Sequence, residues 1–352
     1  MLKTLLMRSA LDVLHYSGAS ALAGRFLGGM GAIFMLHHVF PGAAQAEGFS
    51  PNYGLEMTPE YLDQVLALIK GRGYDFVSLD EAADRIEGLK PSPRRFAVMT
   101  LDDGYKDNLL YAAPVFRKYR APYTIFVAPA ITDGTCELWW RGLEDVIARS
   151  TRLTCTLDGV AYDLPARTAE EKWKAWDTVY RPLRNMDQHE QRSWIRALCS
   201  ANGVDLDAQC RAAAMTWDEL REIAKDPLCT IGAHTLHHFA VARLSAEEAL
   251  HEFNASADRI AKELGQRPRY FAYPYGDEAS AGPRDFELAK QAGFRAAVTT
   301  RKGLIFSEHR DHLTALPRAS LSGKIQELRH AKTVMDGLAF ALFNKFKKVN
   351  VS

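Results

Sequence analysis

Arg95-Phe-Ala-Val-Met-Thr-Leu101, closed by Asp102-Asp103-Gly104 and followed by a helical stretch from Asp107 to Tyr119, decides the fold. A short apolar run ended by an Asp-Gly turn reads as a strand. The next run, Tyr123-Thr-Ile-Phe-Val127, reads as a second strand. Strand, turn, helix and strand in that order argue for a parallel α/β sheet or barrel. Toward the N-terminus, Gly31 to Leu36 is a buried strand between glycine and histidines, and a Gly- and Ala-rich loop runs on through Ser50. Thr58-Pro59-Glu60 opens a helix with a good cap and a good first residue. Leu62, Val65, Leu66 and Ile69 give it an apolar face, and Gly71 to Gly73 end it. Tyr74 to Leu79 is expected as a strand, with Asp80 capping a short helix.

Toward the C-terminus the alternation breaks between 132 and 215. Leu153 to Leu164 reads as a hairpin turning at Asp158-Gly159. Glu170 to Ala213, polar and carrying Trp173, Trp176 and Trp194, reads as an inserted helical subdomain. Strands resume at Cys229–Ala233, Tyr270–Tyr273, Phe294–Thr299 and Leu316–Leu321, with a capping-box helix from Ser245 to Leu264 and a helix from Asp285 to Ala292.

The 352 residues carry 44 Lys+Arg against 43 Asp+Glu and are 47% hydrophobic. That balance disfavours wholesale disorder and a polybasic nucleic-acid binder. Cys136, Cys155, Cys199, Cys210 and Cys229 are odd in number and show no Cys-x-x-Cys spacing, which points to buried thiols in a reducing compartment. No segment offers the roughly 18 unbroken apolar residues of a membrane span.

Residues 1–30 read as an amphipathic helix rather than a signal peptide. Asp12, His15 and Arg25 interrupt the apolar run, and Leu2, Leu5, Leu6, Val13 and Leu14 are expected on one face. Residues 323–352 read as a second amphipathic helix, from about Lys324 to Lys348, with the stripe Leu328, Ala331, Met335, Leu338 and Leu342 and the cations Lys345, Lys347 and Lys348 at its end. Such a stripe serves either core packing or contact with a membrane surface. The expected location is the cytoplasm, with peripheral contact at the inner face of the membrane as the sharper reading. Oligomeric state is left open.

Four constellations carry chemistry, three of them at carboxyl ends of expected strands, where parallel α/β folds place their sites. Adjacent residues leaving a strand diverge, so Asp102 and Asp103 can divide the tasks of free base and metal ligand; a capped Asp-Gly turn is the plainer alternative. His234 and His238 are four apart, a spacing that lets two imidazoles converge on one ion, and no other pair among the eleven histidines has it. Two histidines and one carboxylate suit zinc or another first-row divalent ion. Tyr273-Pro-Tyr-Gly276 makes a rigid turn able to aim a backbone N–H at an oxyanion. His37-His38 follows the first strand and offers a general acid.

In this order the segments resemble the polysaccharide deacetylase family with NodB homology, over roughly Gly31 to Leu321 apart from the insertion. Thr100-Leu-Asp-Asp-Gly104 resembles that family's T-F-D-D-G motif, and His234-Thr-x-x-His238 its H-[ST]-x-x-H motif. The resemblance implies Asp102 as base, Asp103, His234 and His238 as metal ligands, and the Tyr275 N–H as oxyanion donor. Ala272 stands where the R-x-P-Y-G motif has its Arg, and the later D-x-x-D-W and L-x-H motifs are replaced by Ala297-Val-Thr-Thr300 and Leu316-Pro-Arg318. Arg318 is therefore the candidate to orient Asp102. Leu36-His37-His38-Val39 looks like the early acid-histidine segment of relatives acting on poly-N-acetylglucosamine, which makes His37 the candidate acid, with His309 and His312 as alternatives.

The implied fold is a distorted (β/α) barrel over residues 31–322, with the helical insertion at 132–215. The implied activity is metal-dependent hydrolysis of N-acetyl groups from amino sugars of a polysaccharide, chitooligosaccharide or lipid-linked saccharide. Zinc is the first choice of ion, with nickel, cobalt and manganese also open. The competing readings are a deformylase or amidohydrolase on another amide, and a metal-free carbohydrate-binding pseudoenzyme. The expected partner is a carbohydrate, not nucleic acid.

Overall fold

The structure, a computed structural model, describes residues 2–42, 48–321 and 326–351, with side chains from Leu5 onward. Seven parallel strands form its centre: β1 (Gly31–Leu36), β2 (Phe96–Leu101), β3 (Tyr123–Val127), β4 (Cys229–Ala233), β5 (Tyr270–Ala272), β6 (Ala296–Lys302) and β7 (Leu316–Ser320). They run in the order β1-β7-β6-β5-β4-β3-β2, and β2 pairs back onto β1, closing a barrel. Every residue of β1, β2 and β3 is buried. Burial on both faces is why these segments read as continuous apolar runs rather than alternating ones.

The β1–β2 register runs from Gly31 opposite Phe96 to Leu36 opposite Leu101. Both strands therefore end level, and the Asp102 N–H donates to the Leu36 carbonyl at 3.1 Å. That brings residues 37 and 102 together although 65 positions separate them.

The first crossover helix, Pro59–Gly71, begins where the sequence places it, with the Thr58 side chain accepting from the Tyr61 N–H. Such a cap contributes about 1 kcal/mol. The next segment differs from expectation. Only Asp75–Phe76 is strand, alongside the start of β2, because Ser78 rather than Asp80 caps the helix Leu79–Glu87 and so ends the extended run early. The stretch after Asp107 opens as a wide π-turn, Asn108–Ala112, before the α-helix Ala113–Tyr119. Pro114 has no N–H to give an α-turn at that point.

The insertion packs four helices (Trp139–Arg149, Ala169–Asn185, Gln188–Ala201 and Leu206–Ala213) around the hairpin Arg152–Leu157/Val160–Pro165. Asp158 and Gly159 turn that hairpin with φ of 51° and 74°, the left-handed pair a two-residue turn demands. Its apolar core, including Trp139, Leu143, Trp176 and Ile195, is continuous with Tyr105 and Ile131 of the barrel.

Neither terminal segment is one helix. The first is α1 (Leu2–Tyr16) and α2 (Ala19–Leu27), separated at Gly18, whose φ is 73°. The last is α3 (Leu328–Met335) and α4 (Leu338–Phe343), divided at Gly337 with φ 83°. A left-handed glycine ends a helix at low steric cost. At Gly337 the close approach is also specific, since a Cβ there would lie 2.1 Å from the Leu27 carbonyl oxygen. The break splits the expected stripe. Ala331 and Met335 are buried against the barrel, while Leu342 is exposed. The Lys324 start of the expected helix lies outside the described residues.

Candidate active site

The carboxyl ends of β1, β2, β4 and β5 converge with one side chain from within β7. Asp103 leaves β2 with a φ of 72°, and Gly104 follows at 69°. This left-handed bend turns the two adjacent carboxylates to different partners. Asp102 faces Arg318, which rises inside the barrel from β7 and forms two parallel bonds, Nη1 to Oδ1 and Nη2 to Oδ2, each 2.7 Å. The guanidinium is further fixed on the Thr299 carbonyl at 2.8 Å and the Thr100 hydroxyl at 3.1 Å. Burial opposes charge on Asp102, but the Arg318 guanidinium outweighs it and holds the carboxyl below the usual range.

Asp103 faces the two histidines. Its Oδ1 lies 3.3 Å from His234 Nε2 and 3.1 Å from His238 Nε2, and all three groups are buried. Burial again opposes ionisation, and the two imidazoles overcome it, so the Asp103 carboxyl sits well below its ordinary range. His238 is pushed down to about 4, mainly by burial. Ionised carboxylate and neutral imidazole are the protonation states a metal ion takes as ligands.

The geometry fits an ion as well. Bonds of about 2.0–2.2 Å to nitrogen and oxygen put ligand atoms about 3.0–3.5 Å apart, and the two separations from Asp103 Oδ1 fall in that interval. Asp103 Oδ1 accepts no hydrogen bond of ordinary geometry despite full burial. His234 Nδ1 lies 2.6 Å from the Ala272 carbonyl, which can only accept, so that nitrogen carries a proton and Nε2 is the one turned to Asp103. Among the described residues no other His/Cys/Asp/Glu group has this proximity.

We expect His234→Ala and His238→Ala each to abolish stoichiometric binding of a divalent ion, read by elemental analysis of purified protein. Metal content unchanged in both variants would remove the assignment.

His37 stands beside Asp102, with Nε2 3.8 Å from Oδ2 and its side chain 18% exposed, against 2% and 5% for His234 and His238. Burial lowers its pKa and the charge on Asp102 raises it, with the net direction down. His38 is engaged elsewhere: its Nδ1 is 2.6 Å from Asp107 Oδ2 and its ring stacks 3.6 Å from Tyr105. His309 is buried against Phe306, next to the Ile305–Gly31 bridge at the amino end of β1. His312 follows it in the same segment, so both lie away from the strand carboxyl ends. Tyr275 has φ 61°, and its N–H makes no hydrogen bond among the described residues. Gly276 beside it has φ 59°, and a Cβ there would meet the Thr300 nitrogen at 2.7 Å.

Several residues the sequence did not single out complete the site. Glu252, buried in the helix Ala246–Leu264, accepts from the Leu236 and His237 N–H groups at 2.9 Å each and lies 2.7 Å from His237 Nδ1. It clamps the loop from His234 to His238, in which Thr235 and His238 hold φ of 57° and 58°. From the insertion, Arg192 donates to the His237 and His238 carbonyls at 3.2 Å each. Trp140 packs 5.0 Å from the His238 ring, and Trp139 donates to the Tyr275 hydroxyl at 2.7 Å. Arg184 lies 3.9 Å over the Tyr275 ring. Local sequence gives no signal for these contacts beyond the adjacent tryptophans.

The fold is shared with solved proteins. The deacetylase PplD of Streptococcus pyogenes, in complex with acetate, superposes with a TM-score of 0.54 at 18% identity, covering 83% of this chain and 92% of that one. A de-N-acetylase from Aggregatibacter actinomycetemcomitans gives 0.55 at 16%, covering 86% and 98%. IcaB from Ammonifex degensii gives 0.53 at 18%, covering 86% and 96%. A comparison with curated protein sequences returns no match. The sequence model of the polysaccharide deacetylases matches residues 89–297, more than half of the chain and a span holding both the Asp-Asp-Gly turn and the paired histidines. The chain thus belongs to the polysaccharide deacetylase family, hydrolases of N-acetyl amide bonds.

Proposed function

We propose that this protein removes N-acetyl groups from N-acetylglucosamine-type residues of a saccharide, releasing acetate, with one zinc ion held by Asp103, His234 and His238. The observation that carries the reading is the division of the two neighbouring carboxylates, Asp102 to an arginine and Asp103 to two imidazoles. A capped turn needs neither arrangement, and sugar binding alone needs no such set.

A divalent ion bound there supplies Lewis acidity, which acidifies water and polarises a carbonyl. The residues supply the rest. Asp102, held ionised and oriented by Arg318, accepts the proton of the attacking water. The unengaged Tyr275 N–H donates to the oxyanion as the acetyl carbon becomes tetrahedral. His37 delivers a proton to the leaving amine, and its partial exposure gives it access to substrate that the ligand histidines lack. A cavity of about 480 Å³ adjoins this centre at His38 and Trp140. Asn52, Lys106, Arg141 and Glu144 line it together with the Tyr111 ring, a mixture of polar edges and an aromatic face suited to a saccharide. Acetate, the ligand in the PplD structure, is the expected product.

The deciding experiment measures acetate and formate release from N-acetylglucosamine oligomers and lipid-linked saccharides, with metal-depleted and zinc-restored protein. Acetate that depends on restored metal supports the reading. Formate alone would reassign the enzyme as a deformylase, and metal binding or turnover absent from every substrate would favour a carbohydrate-binding role.

For the acid, His37→Ala is expected to lower turnover by about 10²-fold or more and to erase the fall in rate at high pH, since a general acid must be protonated. An intact rate and pH profile in His37→Ala, with collapse in His309→Ala or His312→Ala, would overturn this role.

A further inference from the structure

We propose that α1, α2, α4 and the tail to Lys348 form a docking surface for an anionic lipid bilayer. The first observation is the orientation of α1. Leu5, Leu6, Val13 and Tyr16 fall within about a 100° arc at helical spacing, and each is 60–74% exposed. The opposite side faces the protein. Leu11 is buried there, and Asp12, at the edge of the exposed arc, pairs with Arg329 at 2.6 Å and with the buried His330 at 2.7 Å. An amphipathic helix on a globular protein ordinarily turns its apolar stripe inward. This one is anchored through Leu11 and the Asp12 pairs and presents Leu5, Leu6, Val13 and Tyr16 to the surroundings.

The neighbouring elements continue the patch. Leu22 and Phe26, one helical turn apart on α2, are 68% and 80% exposed, and Leu342, Phe343 and Phe346 are exposed on α4 and just beyond it. The helices α1, α2 and α4 pack on one another, so their outward faces adjoin. Of the fifteen exposed large apolar side chains among the described residues, eleven lie in the two terminal segments. Scattered apolar side chains are normal on a surface, whereas a concentration of this kind marks an interaction site.

Charge selects the occupant. Residues 1–30 and 323–352 contain nine Lys+Arg against three Asp+Glu, while the remaining chain has 35 against 40. Arg25, Lys345, Lys347 and Lys348 are exposed around the patch, and Lys348 reaches Glu308 at 2.8 Å. A basic rim around an apolar face matches an anionic lipid surface. A second copy would bring like charges together. No helix among the described residues is long and apolar enough to cross a membrane, so the contact lies in the plane of the interface.

The test uses the full chain with vesicles of phosphatidylcholine alone or mixed with phosphatidylglycerol, at low salt and at about 1 M salt, read by sedimentation. The expected result is recovery with the anionic vesicles at low salt, and binding at least about tenfold weaker on neutral lipid or at high salt. Leu22→Ser/Phe26→Ser, with an unchanged melting temperature, should weaken binding at least about tenfold. Phe343→Ser, on a different helix, should act in the same direction. Recovery in the supernatant under all four conditions would overturn the proposal. So would a stable dimer that Phe26→Ser dissociates in a protein that leaves vesicles unbound.

Discussion

Asp102→Asn protein is expected to keep its divalent ion and lose about 10²–10⁴-fold of its turnover, the span a general base contributes. The substitution preserves shape and removes the negative charge, and with it both the capacity to accept a proton and the ion pair with Arg318, while the candidate ligand atoms belong to Asp103 and the two histidines. Elemental analysis and acetate release on the same preparation give both quantities. Retained metal with collapsed turnover assigns Asp102 to the chemistry. Near-normal turnover would make it the structural partner of Arg318 and nothing more.

Arg318→Met is expected to cost about 3–5 kcal/mol of stability, because it strands a buried carboxylate without its cation. Both partners are almost wholly buried, with side-chain exposures of 0% for Arg318 and 3% for Asp102, so solvent screens this pair far less than a surface pair. Urea unfolding reads the loss directly. The double variant Asp102→Asn/Arg318→Met supplies the control. With no charge left unpaired, it should be less destabilised than the sum of the single changes. Additive losses would mean that Arg318 acts through the Thr299 and Thr100 contacts rather than through Asp102.

What the sequence made legible, and what it did not, follows from the range of the forces involved. β1 and β3 fall on Gly31–Leu36 and Tyr123–Val127 because complete burial leaves unbroken apolar runs between turn residues. The helix opened by Ser245 was equally readable, since a capping box is local chemistry. The cluster of Asp103, His234 and His238 was legible because the Asp-Asp-Gly turn and the four-spaced histidines are local patterns at strand ends. Glu252 and Arg192 were not, since both act on backbone groups distant in sequence and neither lies in a telling pattern. The left-handed conformations of Asp103, Thr235, His238 and Tyr275 were hidden for a related reason. None is glycine, and the surrounding bonds rather than intrinsic preference hold them there. The terminal helices show the opposite failure. Their apolar spacing was plain, but spacing alone does not reveal whether a stripe faces the core or the surroundings.

The reach of the inserted subdomain into the histidine loop bears on how this enzyme can be taken apart or recombined. Asp103, His234 and His238 all lie outside 132–215, so excising that stretch would leave every motif residue in place. It would also remove Arg192 from the His237 and His238 carbonyls, Trp140 from the His238 ring, and Trp139 and Arg184 from Tyr275. A trimmed barrel would carry the full set of donor atoms on a loop without its outer brace. Chimeras should therefore exchange the insertion together with the segments His234–His238 and Tyr273–Gly276, as one inherited unit. Sequence alignment of the barrel motifs alone would place the cut points wrongly.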